Sequence, residues 1–434
     1  MLGIITLLIA LGTQIGIFAF RLVTKNRQTK MMHMLRLAAF GIFLLLTLAG
    51  VYWWGFRWMG LFLLLMILSI FSIVYFIKKP KADKPYKISG AVFSFVNGCI
   101  LLTFCILPGI MFPQFQELAP SGPYTIKTES VTFVDTSRPE TYSKIGENRK
   151  LTVQFWYPDV KKDDDAYPLV VFSHGSFGYR GSNLSTFENL ASNGYVVCSI
   201  DHSYHAFFSK HTDGSITLVN LDFLNDAVNI TNNAYDEQKT YDLTHEWLSL
   251  RTADMRFILG EILRNASLDN PEGVYSLVDT EKIGLFGHSL GGAAAAQLGR
   301  ERTDIDAVIV IDGTMIGEEI GFENGQAVLT DAPYPVPLLN MYNQEHYDDA
   351  QQMGTGYNNI AASRNAFEAY DMLIRGSGHL NFTDLPLFSP TLAHMLGTGE
   401  VDSRYCVETM NQAALEFFNY KLKDAADLQL KTEY

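Results

Sequence analysis

Ser289 stands in the run EKIGLFGHSLGGAAAA, where an apolar strand, a glycine-flanked serine and a string of small helix formers follow in direct succession. Gly287, Ser289 and Gly291 have the G-x-S-x-G spacing of a sharp strand-to-helix turn, which strains the serine backbone and lifts its hydroxyl above the sheet. A hydroxyl so placed can attack an acyl carbon if a base takes its proton, an acid holds the base, and N–H donors receive the oxyanion. The glycines provide clearance, because a side chain at 287 or 291 would collide with the neighbouring strand or helix. The spacing also recurs by chance, and its weight here comes from the strand–turn–helix context.

In the chain order serine, acid, histidine, the base must follow Ser289, and only His346, His379 and His394 do so. His379 follows the apolar run YDMLI through the turn RGSG, on a loop at a strand end from which it can reach a nucleophile. His346, in NQEHYDD, is a poorer base that could line the pocket, and His394, in the helical run TLAHML, reads as packing. His288 adjoins the serine but points elsewhere. Asp312 closes the strand AVIVID and precedes Gly313, so its carboxylate can meet a histidine at neighbouring strand ends, whereas Asp306 lies at the wrong end. Glu345 and Asp348, after the next strand, are rivals for the acid, and Asp312 could instead cap its own turn. For the oxyanion, one donor is the N–H of Leu290 and the second comes from HGSFGYRG after the strand LVVFS, where Ser176 is the candidate and His174 braces the loop.

Eight strands are expected around these residues: Tyr124 to Val134, Leu151 to Tyr157, Leu169 to Ser173, Tyr195 to Ile200, Lys282 to Phe286, Ala307 to Ile311, Val336 to Met341 and Tyr370 to Ile374. Helical stretches between them, including 184–193, 247–265 and 293–300, make an α/β fold with a mostly parallel sheet and helices on both faces. Sites in such sheets lie at the carboxyl ends of strands. Residues 203–245 break the alternation with a long polar, aromatic-rich insertion that fits a lid or binding loop and equally a solvated excursion without function.

The first 113 residues differ in kind and read as a transmembrane region, with spans at 2–20, 37–56, 58–77 and 88–112. Basic clusters follow the first span (Arg21, Lys25, Arg27, Lys30, Arg36) and the third (Lys78, Lys79, Lys81, Lys84, Lys87). The positive-inside rule makes both loops cytoplasmic, so four spans put the following domain outside the cytoplasm, at the cell membrane. Trp53, Trp54 and Trp58 fit an aromatic belt at the outer turn. Residues 114–123 read as a linker and 124–434 as one α/β domain. Residues 1–115 hold eleven Lys or Arg and one acid, Asp83, which leaves 22 basic and 45 acidic residues downstream, a net charge of −23. Such a surface disfavours nucleic acid; the spans make the bilayer a partner, and a site tethered there would meet a small lipid or lipophilic ester at high local concentration. Of four cysteines only Cys198 and Cys406 lie in the second half, which is no disulfide framework, and no metal-ligand spacing is present.

The blocks LVVFSHGSFGYRG, LASNGYVVCSIDH, DTEKIGLFGHSLGG, VIVIDG and RGSGHLNFTD, in that order over roughly residues 124–422, resemble the platelet-activating factor acetylhydrolase family of α/β-hydrolases, lipoprotein-associated type, and its dienelactone-hydrolase-like relatives. The resemblance implies an α/β-hydrolase fold, hydrolysis of short or oxidised acyl chains from phospholipids without calcium, and no cofactor. It carries over Ser289 as nucleophile, Asp312 as acid, His379 as base, and the N–H groups of Ser176 and Leu290 as oxyanion hole. The chain departs in its four-span region, which secreted members lack, and in Leu290, where close relatives carry phenylalanine. The expectation is a membrane-anchored serine esterase. A peptidase, amidase or acyltransferase would use the same triad; a non-catalytic receptor or transporter would rest on the spans, which hold no buried charge pair to mark an ion path. N-x-S/T matches occur at Asn183, Asn229, Asn265 and Asn381, and a glycan on Asn381 would obstruct His379.

Overall fold

Uncharged runs of about twenty residues have no way to satisfy their backbone in lipid except as helices. In the computed structural model, which describes residues 2–78, 86–143, 146–160 and 166–434, they form α1 (Leu2–Thr24), α2 (Thr29–Leu48), α3 (Phe56–Ile77) and α4 (Ile88–Met111). All four are long and apolar enough to cross a membrane. The second departs from the expected 37–56 and runs from Thr29 to Leu48. It takes Lys30 and Arg36 into its first turns, where long side chains can reach outward, and it stops before Gly50 at φ +75°. Trp58 also departs from the expected belt. It is 1% exposed, packs on Gly109 and donates from Nε1 to Gln114 Oε1 at 3.0 Å, while Trp53 and Trp54 stay exposed. Lys79, Lys81 and Lys84 lie outside the described residues.

The chain divides into two compact units, and the helical one contains Met1–Gln116 together with Leu387–Leu392. Within it Phe388 sits 5.1 Å from the Phe112 ring and 6.1 Å from that of Phe115, and Ser389 Oγ donates to the Met111 carbonyl.

The second unit, Glu117–Pro386 with Ala393–Tyr434, is built on eight strands. They are β1 (Ile126–Pro139), β2 (Asn148–Pro158), β3 (Tyr167–Ser173), β4 (Val196–Asp201), β5 (Val278–His288), β6 (Ala307–Ile311), β7 (Leu338–Tyr342) and β8 (Ala369–Leu373). The order is β1-β2-β4-β3-β5-β6-β7-β8; β2 pairs antiparallel with both neighbours and the pairs from β4 to β8 are parallel. All seven residues of β3 and all five of β6 are buried, as strands covered on both faces must be. Helices α5 (Leu184–Ser192), α6 (Leu221–Thr231), α7 (Glu237–Ala266) and α8 (Leu290–Glu301) connect them. Small residues let α8 lie close to the sheet: Ala293, Ala294 and Ala295 are buried, and a Cβ on Gly299 would stand 2.6 Å from Val308 Cγ2.

The 203–245 stretch is structured. It holds a hairpin of Phe208–Lys210 and Ile216–Leu218, the whole of α6 and the first turns of α7. Phe223 of α6 is 1% exposed and stacks on His205 at 3.8 Å, with the Phe177 ring at 5.5 Å. Leu290 packs against the same cluster, so α6 forms a wall beside the serine turn.

Candidate active site

Ser289 falls between the end of β5 and the start of α8 with φ 56° and ψ −128°, a strained region for a residue with a side chain. The surroundings fix that conformation. A Cβ on Gly287 would overlap the Gly291 carbonyl and stand 2.7 Å from Gly292 N, and one on Gly291 would overlap the Ser173 carbonyl and stand 2.7 Å from the His174 oxygen. Gly291→Ala is therefore expected to cost about 1–3 kcal/mol, read as a lower melting temperature; an unchanged Tm would refute the clearance argument.

Asp312 follows β6 with φ 49° and is 1% exposed. Its carboxylate is saturated: Oδ2 receives His379 Nδ1 at 2.6 Å and Asn343 Nδ2 at 2.8 Å, and Oδ1 receives Asn343 N at 2.8 Å and His346 Nδ1 at 3.0 Å. Burial alone would raise its pKa, but the hydrogen bonds and charge of the two imidazoles outweigh that and hold it well below the usual carboxylate range. Asp312 is thus an anion that orients the His379 ring through Nδ1, leaving Nε2 as the proton acceptor.

His379 opens a short turn after β8, 36% exposed at its side chain. The turn is held by Asn381, whose Oδ1 accepts from Gly378 N at 2.8 Å and Gly399 N at 2.7 Å. Asn381 and Asn183 are fully buried, so neither sequon in this form can accept a glycan. His288, next to the serine, points its Nε2 at the His379 carbonyl, 3.1 Å away, and its ring lies 4.5 Å from that of His379. Burial, reinforced by the neighbouring His379, lowers its pKa to about 3, so it is a neutral donor that props the loop.

His346, weighed from the sequence as a second base, instead shares Asp312 with His379; burial opposes its protonation, but the hydrogen bond to Asp312 and the nearby carboxylates raise its pKa overall. The rival acids Glu345 and Asp348 lie with it on α9 (Gln344–Met353), and the carboxylate that accepts from His379 Nδ1 is that of Asp312. His394 is exposed on its helix rather than packed. Asn343, which holds both carboxylate oxygens, escaped sequence reasoning, although its N-cap position before α9 was a readable signal. Donor atoms of His288, Asp312 and His379 lie within 4.8 Å of one another, a spacing that a metal ion could bridge. Two of these groups are already joined by the Asp312–His379 hydrogen bond, and the third is held by its bond to the His379 carbonyl.

The loop after β3 lies directly on the serine turn. A Cβ on Gly175 would stand 3.2 Å from Ser289 Cβ and 2.8 Å from His288 Nδ1, and Phe177 takes φ 61° to turn the chain. The N–H groups of Ser176 and Leu290 are engaged by no other backbone carbonyl among the described residues, as oxyanion donors must be. Behind the loop, Arg251 Nη1 donates to the His174 carbonyl at 2.8 Å, and His202 Nε2 meets Ser173 Oγ at 2.9 Å. His202 Nδ1 meets Asp254 Oδ2 at 2.9 Å, and Asp254 is clasped by Arg149 through Nε and Nη2, both at 2.6 Å. This buried ionic layer was not foreseen from the sequence, because its members come from β2, from the residue just after β4 and from α7.

Relatives with similar sequences include the platelet-activating factor acetylhydrolase of Bos taurus, 26% identical over 281 residues, covering 59% of this chain and 58% of the relative. That of Gallus gallus is 23% identical, covering 60% of this chain and 63% of the relative. The chain thus spans less than two thirds of the length of these relatives. Among solved structures, a ferulic acid esterase from Streptomyces cinnamoneus superposes with a TM-score of 0.55 at 22% identity, over 73% of this chain and 97% of that one, which agrees with the α/β-hydrolase fold. Residues 150–432, well over half of the sequence, match the family described as platelet-activating factor acetylhydrolase, isoform II, and the chain belongs to that family.

Proposed function

We propose that this protein is a membrane-anchored serine hydrolase that cleaves carboxylic esters, short-acyl lipids or lipophilic esters among them, by acyl transfer through Ser289. The observation that carries this reading is the buried Asp312 carboxylate holding His379 Nδ1 at 2.6 Å beside a serine forced to φ 56°. His379 takes the Ser289 proton as Oγ attacks the acyl carbon; the Ser176 and Leu290 N–H groups hold the tetrahedral anion, and the imidazolium, stabilised by Asp312, returns the proton to the departing alcohol. Water then repeats the sequence on the acyl-enzyme. Four helices of spanning length support anchoring, and a tethered site meets lipophilic esters at high local concentration. The basic residues after α1 and α3 support cytoplasmic loops, which would put the hydrolase outside the cytoplasm at the cell membrane.

A fluorophosphonate probe should modify the full-length protein at Ser289 alone, and a membrane-impermeant version should label it on intact cells. A panel of p-nitrophenyl esters should then show turnover falling as the acyl chain lengthens. An unlabelled Ser289 would sink the hydrolase reading, and labelling only after cells are broken would sink the orientation.

A further inference from the structure

Within the helical unit, a cavity of about 240 Å³ lies where the end of α1 and the start of α2 meet the start of α4. Its lining includes Arg21, Arg27, Arg36 and Lys87, with no carboxylate among them, and the described residues of this unit contain no acid at all. The three arginines are half-buried, whereas Lys25 and Lys30 on the same stretch are exposed. They are also arranged. Arg21 is turned by its Nε, which donates to the Arg27 carbonyl at 3.0 Å, and its Nη1 is 3.4 Å from Ser94 Oγ on α4. Arg27 Nη2 reaches across to within 4.0 Å of where a Gly90 Cβ would stand, so the absent side chain leaves it room. In the same lining the Tyr86 hydroxyl is shut off from solvent and has no hydrogen-bond partner among the described residues.

Gathering like charges at the edge of an apolar bundle is unfavourable on both desolvation and repulsion, and a bound anion relieves both. Guanidinium forks match phosphate oxygens in pairs, and a buried phenol adds a neutral donor to the same acceptor. Basic pockets between membrane helices at headgroup depth are where anionic lipid headgroups bind. We propose that this cavity is a binding site for a phosphate ester, and its place between spanning helices, with Met32 and Ala91 in its wall, favours the headgroup of an anionic phospholipid over free phosphate.

The test is native mass spectrometry of the full-length protein titrated with phosphatidylglycerol, phosphatidylcholine or inorganic phosphate. Phosphatidylglycerol should stay bound and phosphatidylcholine should not. The double variant Arg27→Gln/Arg36→Gln should weaken phosphatidylglycerol by about tenfold or more, with partial recovery in Arg27→Lys/Arg36→Lys. Tyr86→Phe, which removes one donor and no charge, should weaken it severalfold and stands in should the double variant not fold. Asp83→Asn should bind as well as the unaltered protein or better, since the cations make the site. Saturable inorganic phosphate, displaced by the same substitutions, would uphold the site with free phosphate as its ligand. Equal retention of phosphatidylcholine, or affinities unchanged by the arginine or tyrosine substitutions, would overturn the proposal. The readout involves no turnover, and fluorophosphonate labelling of Ser289 in each variant reports separately on the hydrolase.

Discussion

Ser289→Ala is expected to lower kcat on p-nitrophenyl acetate by about 10⁴- to 10⁶-fold, with the residue of activity supplied by the oxyanion donors and substrate binding. On the proposed mechanism the serine, the imidazole and the carboxylate act as one unit, so His379→Ala should cost a similar factor and the double variant little more. KM should move much less than kcat, since the hydroxyl contributes to bond making rather than to holding the ester. Alanine keeps the Cβ and therefore the strained backbone of the turn, so the melting temperature of the second unit should be little changed, which separates loss of chemistry from loss of fold. Asp312→Asn is a blunter tool, because its carboxylate also positions Asn343 and His346. Turnover by Ser289→Ala at the unaltered rate, in protein free of wild-type enzyme, would remove the mechanism.

The second large effect concerns stability. Asp254 is fully buried and accepts from Arg149 in two bonds of 2.6 Å and meets His202 at 2.9 Å, with the Arg138 guanidinium beside it as an ion pair at 3.0 Å. Asp254→Asn keeps the shape but leaves the Arg149 and Arg251 cations, both buried, without their main counter-charge, and is expected to cost about 3–5 kcal/mol. Burial by itself would raise the Asp254 pKa; the Arg149 charge and hydrogen bonds more than reverse this and the folded value is strongly lowered. A lowered folded pKa means that the carboxylate's contribution is present above its unfolded value, about 3.9, and is lost as pH falls through the folded value. Denaturant melts of the two proteins should therefore differ most near neutrality, with the gap narrowing under strongly acid conditions. A variant as stable as the original at pH 7 would show that the ionic layer does not support the fold. Because His202 links Asp254 to Ser173 at the foot of the loop proposed to hold the oxyanion, kcat should fall as well.

The parts legible in the sequence were those whose signal is local. Buried parallel strands are short apolar runs between turn residues, so all eight strands of the main sheet could be read, as could the glycine-flanked serine and the aspartate closing β6. What escaped depends on partners far along the chain. Nothing near His346 announces that it will share Asp312 with His379, 67 residues beyond that aspartate. The wall made by α6 is set by Phe223 finding His205 and Phe177. The small hairpin of Glu319–Glu323 and Gln326–Leu329 is different: Asn324 and Gly325, at φ 53° and 82°, are the turn pair such a hairpin favours, and the signal was there to be used. The second helix was displaced because a search for charge-free runs discards opening turns that carry Lys30 and Arg36.

Leu387–Leu392 belong to the helical unit although they are encoded beyond His379. The boundary that packing draws and the boundary that a gene would draw at Glu117 therefore fail to coincide. Transplanting residues 117–434 onto another anchor would carry Phe388 along stripped of Phe112 and Phe115, a greasy stub inviting aggregation. The helical unit therefore borrows part of its aromatic packing from six residues encoded far beyond it, and a change at Phe388 should be felt at Phe112 and Phe115.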